Sequence, residues 1–334
     1  RHGGAMAVFN RVLSLALVLS ILVGCSKDRP GRAVAQDGAP RFVREFALVE
    51  GADTLGPVRL QLVRDSLFVS YSGLPAIDVC DENGARSQRI NLTKPDTVFP
   101  TSFVVLDSEI VVADHVHGIL AMYTREGRFL TSYDLLPDQR THLSPFAVTE
   151  YGGVLYTADP VLHKVLAISN VDARGITEKG ELVLGFPKDS AVSLGFPSAV
   201  MVTLDGRLLV GDARRGSIEV FTCDGRHIYR FDQVATARPM TPQAFDVDNV
   251  PDPELQDSTT FDPSNVRLMG RIHVVDANNG LVHVFGPLGR YIMSYPSDGR
   301  LKKPAGIAID RSRRTIFIAD PSARQVFVYQ YNAT

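Results

Sequence analysis

The sequence predicts an all-β chain folded as a six-bladed β-propeller, with four-stranded antiparallel blades and a ring closed by the N-terminal strand. Three observations predict it. Runs of about four to six residues, rich in Val, Ile, Leu and aromatics, are bounded by Gly, Asn, Asp or Pro, the composition of short strands. The same order recurs along the chain: hydrophobic strand, Ala-Asp or a variant, polar turn, hydrophobic strand, Gly-containing hairpin. It is seen at 110–130, 154–169, 208–228, 270–292 and 316–330, with a weaker copy at 67–85. Its anchors, Ser70, Asp114, Asp159, Asp212, Asp276 and Asp320, are separated by 44, 45, 53, 64 and 44 residues. Four short strands per unit of roughly 45 residues mark a propeller rather than a sandwich. Finally, each unit is led by a strand behind Pro or a similar breaker, as in FPTSFVVLD (99–107), SPFAVTE (144–150), FPSAVMVTLDG (196–206), DPSNVRLMG (262–270) and KPAGIAIDRSRR (303–314).

Taken in order, residues 1–5, RHGGA, precede Met6 and read as an upstream extension. Arg11 then flanks an uncharged run from Val12 to Val23. Twelve residues make roughly 18 Å of helix, short of the ~30 Å hydrocarbon core, so 1–24 reads as a secretory signal or, if uncleaved, as an N-terminal anchor. Leu22-Val23-Gly24-Cys25 resembles the bacterial lipobox. That resemblance implies lipid attachment at Cys25 and, with Ser26 following, passage to the outer membrane. Residues 25–40 are small, polar and Pro/Gly-containing, a flexible tether. The propeller domain then spans 41–334. Residues 41–49, RFVREFALV, form one strand with no blade of its own, while the last blade lacks an outer strand; pairing the two closes the ring and hides both edges.

The blades are placed at 58–90, 99–133, 143–184, 196–231, 261–294 and 303–330 with 41–49. Two insertions remain, 170–195 and 232–260. Connections this long in a compact fold are functional or disordered. The second holds Met240, Phe245, Val247 and Leu255, read here as an apolar, partner-facing flap.

The last unit carries a family resemblance. Pro304 and Gly306-Ile307-Ala308-Ile309-Asp310, then Ile316-Phe317-Ile318-Ala319-Asp320, then Gln325-Val326-Phe327-Val328-Tyr329 are similar to the repeat motif of the NHL family of β-propellers. Units one and two depart from it: the first lacks the Pro and the Asp, and Thr101-Ser102 replaces the usual Gly in the second. The resemblance covers about residues 42–330 and implies the fold. The family includes binding modules, scaffolds and a few enzymes, so it implies little about chemistry.

Chemistry-bearing residues are sparse. Asp114, Asp159, Asp212, Asp276 and Asp320 recur in five of six units, so they read as structural turn residues that accept backbone N–H groups. His115 and His117, with His163 in the matching turn of the next unit, are weak metal-ligand candidates with no evident further ligand. Asp246, Asp248 and Asp252 have a cation-like spacing but lack the EF-hand pattern. Cys80 and Cys223 fall in opposite blades and are expected to be free thiols. No haem-attachment, nucleophile-elbow or zinc-protease motif is present, and no cofactor is expected. The net charge is −2 with no basic tract, which argues against nucleic acid.

The function these readings favour is a scaffold rather than an enzyme. It is a protein-binding subunit on the periplasmic side of a bacterial envelope, tethered to the bilayer through its N-terminus. Its expected partner is a membrane protein held through a disc face or the 232–260 loop. The alternative is a metal-assisted hydrolase or lyase at the central channel. Propellers related in appearance include lactonases and amidating lyases, which resemblance would call for Glu, Asn, Asp or His converging on the axis. Glu150, Asp205 and Asp310 are the nearest the inner strands provide.

Overall fold

The computed structural model describes residues 38–332 apart from 51–52, 94–95, 135–140, 169–170, 173–174, 177–181, 187–191 and 251–269. Six four-stranded antiparallel sheets form the ring. From the axis outwards, blade one is Pro57–Val63, Ser66–Tyr71, Leu74–Cys80 and Arg86–Asn91; blade two is Ser102–Val105, Glu109–Asp114, Ile119–Thr124 and Phe129–Tyr133. Blade three is Ala147–Tyr151, Val154–Asp159, Lys164–Ile168 and Leu182–Phe186; blade four is Pro197–Val202, Arg207–Asp212, Ser217–Thr222 and His227–Phe231. Blade five is Pro242–Val247, Ile272–Asp276, Leu281–Phe285 and Tyr291–Tyr295. Blade six is Gly306–Asp310, Thr315–Asp320 and Gln325–Gln330, completed on the outside by Arg41–Phe46. The closing strand runs antiparallel to Gln325–Gln330, from Arg41 opposite Gln330 to Phe46 opposite Val326.

Apolar residues alternate to both faces of each blade and pack against the neighbouring blade. One cluster joins Phe68, Ile77 and Ile90 of blade one to Phe103, Val112 and Tyr123 of blade two. Another joins Val275, Val284 and Tyr295 of blade five to Ile307, Ile318 and Tyr329 of blade six. No sheet could bury both faces alone, so the ring is the folding unit.

The blade-five boundary differs from expectation. Its inner strand is Pro242–Val247, not a strand within 262–270. PQAFDV has the same Pro lead and apolar alternation as the other inner strands, with Pro242 opposite Asp276 at its start. The extra residues that stretch the 64-residue spacing therefore separate the first and second strands of blade five. This also corrects the flap. Met240, Phe245 and Val247 are buried between blades four and five with Ile218, Phe231 and Phe285, because strand pairing turns them into the core. Leu255 lies outside the described residues. Likewise Leu182–Phe186, within the expected 170–195 insertion, is the outer strand of blade three.

Candidate active site

Each inner strand begins on the face that carries the recurrent Asp turns and ends on the opposite face, as the register of Pro197 with Asp212 and of Pro242 with Asp276 shows. Between the six strands runs a channel with a cavity of about 260 Å³. Aligned on their leading residues, the inner strands place Arg59, Ser102, Ala147, Ala199, Ala244 and Gly306 at one level. Five are small, and the space they leave at the axis is filled by the sixth. A Cβ on Gly306 would lie 2.5 Å from Val58 O and 3.0 Å from Arg59 Cα, so glycine alone lets blade six approach blade one here.

Arg59 closes the channel at this level. Its guanidinium donates to Thr101 O (3.3 Å), Ala305 O (2.5 Å) and Gln243 O, and lies 3.5 Å from Ser198 O. Carbonyls of blades two, four, five and six thus converge on one cation. The residue is 9% exposed and has no carboxylate partner among the described residues. Burial pushes its pKa down to about 10, still far above neutrality.

Two residues further along the strands, the same alignment gives Gln61, Val104, Thr149, Met201, Asp246 and Ala308. Asp246 is the only carboxylate on the described channel wall. One oxygen accepts from Val247 N (2.7 Å) and from Arg311 Nη2 (2.9 Å), the other from Ile309 N (2.7 Å). Burial nevertheless raises its pKa, against the pull of the Arg311 charge. The Asp246 side chain is 19% exposed and that of Arg311 39%, at the end of the channel away from Arg59. Arg311 Nε is buried without an acceptor among the described residues. The Gln61 carbonyl oxygen accepts Val105 N at 2.8 Å, which leaves its NH2 group as a donor on the wall.

Behind Asp246, and not in the channel, stands a buried polar set. Asp248 accepts from Arg271 Nε (2.8 Å) and pairs with His273 Nε2 (2.9 Å), while His273 Nδ1 lies 3.0 Å from the Tyr295 hydroxyl. Burial acts to raise the Asp248 pKa, but the His273 hydrogen bond and charge and the Arg271 charge outweigh it and hold it at about 2. Asp246 and Asp248 thus face separate surroundings and form no shared cation site; Asp252 lies outside the described residues. A raised carboxylate in a cleft is a functional-site signature, whereas a fully bonded buried one is a packing feature.

The five recurrent Asp side chains are fully buried on the opposite face. Asp212 Oδ1 accepts from Phe196, Arg214 and Arg215 N, and Oδ2 from Gly195 N. Asp114, Asp159, Asp276 and Asp320 likewise join their own turn to the segment entering the inner strand, through Phe99, Ser144, Thr241 and Lys302 N respectively. In blade one the register corrects the expected anchor: Pro57 pairs with Tyr71 as Pro197 does with Asp212, so Tyr71 and not Ser70 stands at the aspartate position, the Ser70 hydroxyl has no partner among the described residues, and Ser72 N bonds Gly56 O. His115 Nδ1 lies 3.0 Å from Ser144 Oγ, His117 Nδ1 2.7 Å from Asp114 Oδ2, and His163 Nδ1 2.9 Å from Gly195 O. Among the described residues no three His, Cys, Asp or Glu side chains come together to hold a metal ion. Cys80 and Cys223 are free. Glu150 and Asp205 bond locally to Gly153 N and Arg207, and Asp310 to Ser312 and Arg313.

No protein-family model matches the chain, and no curated protein matches it. Solved structures do. A streptogramin B lyase structure superposes with a TM-score of 0.55 at 15% identity, covering 90% of each chain. Virginiamycin B lyase from Staphylococcus aureus gives 0.56 at 15% identity in its selenomethionine form, over 86% of this chain and 99% of that one. Its catalytically inactive histidine-to-alanine variant, crystallised with quinupristin, gives 0.55 at 13% over the same shares. At such identities the likeness establishes the six-bladed fold.

These comparisons correct several expectations. The NHL assignment falls, since no family model matches and the three solved structures named above are lyase structures. The preference for a protein-binding scaffold over an enzyme falls on the same finding. So do the membrane partner, the bilayer tether and the envelope location, which belong to that scaffold reading. Cys25 and the rest of the expected lipoprotein signal lie outside the described residues. Among the described residues no helix is long and apolar enough to cross a membrane.

Proposed function

We propose that this chain is an enzyme acting at the central channel, a lyase in which Asp246 is the general base and Arg311 the group that stabilises negative charge. The observation that carries this reading is Asp246 itself, the lone carboxylate of the described channel wall, its pKa raised by burial and its position fixed by Arg311 and two backbone N–H groups. The lyase activity named for structures of the same fold supports it.

Elimination needs one base and a place for the developing anion. Asp246 takes a proton from the carbon next to a carbonyl or carboxylate. The C–H electron pair becomes the new C=C bond, and the leaving group departs from the β-carbon with its bonding pair. The Arg311 guanidinium, with a donor to spare at Nε, stabilises the oxygen on which charge builds. A metal-assisted version does not fit these residues. A divalent cation prefers several oxygen or imidazole donors, and here a single carboxylate is already held by an arginine, with a second arginine in the same channel. No step is therefore routed through a metal.

The test is turnover on a panel of substrates with a leaving group β to a carboxylate or acyl group, quinupristin included, followed by the ultraviolet absorbance of the new conjugated double bond. Asp246→Asn should lower kcat by about 10²–10⁴-fold with the fold retained. Full activity in that variant would remove Asp246 from the mechanism.

A further inference from the structure

We infer that the channel is an anion-binding site, and that the molecule it serves carries a small carboxylate or an equivalent monoanion. That this molecule is the substrate rests on the elimination reading; the binding itself does not.

The argument is one of charge and donors. Asp246 and Arg311 neutralise each other at 2.9 Å. Arg59 is left over. Its hydrogen bonds go to backbone carbonyls, which satisfy donors but carry no net charge, and it has no carboxylate partner among the described residues. Arginine does not escape burial by losing its proton, and this one remains a cation near neutrality. The described channel wall therefore carries one net positive charge.

Two polar groups without a partner on the described wall add to it. Arg311 Nε has no acceptor, and the Gln61 NH2 is turned free by the engagement of its carbonyl oxygen with Val105. Both are donors. The four carbonyls satisfy the donors of Arg59 but not its charge, and a charge retained in a low-dielectric cavity calls for a counter-ion. Phe103, Val148 and Met201 supply apolar wall between the polar groups, so the ligand that fits is a carboxylate with a short apolar body.

The experiment uses the wild-type full chain labelled with ¹³C-methyl methionine. Met201 lies on the channel wall, and its signal is identified by its loss in Met201→Leu. Sodium butyrate and its neutral isostere butyramide are titrated separately in a constant sodium chloride background. The expected result is a saturable shift of the Met201 methyl with butyrate, at least tenfold stronger than with butyramide. Arg59→Gln should weaken butyrate binding at least tenfold, while Asp246→Asn should bind it as well or better, since a like charge is gone. No shift, or equal binding of butyrate and butyramide, overturns the inference. Should Arg59→Gln fail to fold, the wild-type comparison decides alone. Butyrate binding without turnover on any elimination substrate would leave the anion site standing and remove the lyase reading; turnover of neutral substrates without anion binding would do the reverse.

Discussion

At the residue scale, two aspartates two positions apart show how surroundings divide one side-chain type into two roles. Asp246 has a raised pKa, so the activity proposed for it should fall on the acid side at a higher pH than an ordinary carboxylate, near 4, would give. Arg311→Met removes the charge that opposes this rise. The acid limb of the kcat/KM profile should then move further up; a limb that stays put would detach Arg311 from Asp246. Asp248 is the opposite case, held at about 2 in the folded chain. A depressed carboxylate stabilises the fold above its unfolded pKa of about 3.9, and that contribution is lost as pH falls from there towards 2. The shift corresponds to roughly 2–3 kcal/mol at neutral pH. Chemical denaturation between about pH 5 and about pH 2 should show this loss in the wild type and a shallower slope in Asp248→Asn, which starts less stable. Asp212→Ala tests the turn network: with four N–H groups deprived of their acceptor, about 3 kcal/mol of stability should be lost in a denaturant titration.

At the element scale, the closing strand makes the clearest demand. Arg41–Phe46 covers the free edge of Gln325–Gln330. Deleting residues 41–46 should lower the melting temperature and, by exposing that edge, make the protein associate with rising concentration in light scattering. This strand was legible in the sequence, because an orphan strand at one end and a three-stranded unit at the other imply one another. Repeated Val, Ile and Asp positions made the blades legible as well. Blade five was harder. Its inner strand and second strand are separated by a long insertion, so the nearest Pro-led segment in sequence was not the one that pairs. The channel site was legible only after alignment of the inner strands: a lone Arg among Ser, Ala and Gly, and a lone Asp two positions later. Read along the chain, Arg59 is an unremarked polar residue in a strand, and Asp246 is one acid among several in a loop. Repetition signals structure; here the site residues are the ones that break it.

At the scale of the whole molecule, the ring is held in two places, around its rim by the closing strand and at its axis by Arg59. The axial tie explains why Gly306 is required. Gly306→Ala would push blade six away from Val58 and Arg59, and should cost about 1–3 kcal/mol, the range for an overpacked core. Because each core cluster is shared by two blades, that loss should appear as a lower midpoint of one cooperative transition rather than as a separate early phase. The rim closure has a mechanical consequence. Arg41 and Gln330 are register partners, so the chain enters and leaves the ring at the same end of the same strand pair. A force applied between residues 38 and 332 would load those hydrogen bonds one after another, as a zipper is loaded, and not all together in shear. A propeller that unfolds in heat or denaturant as a single body would then yield to a weak pull at its seam.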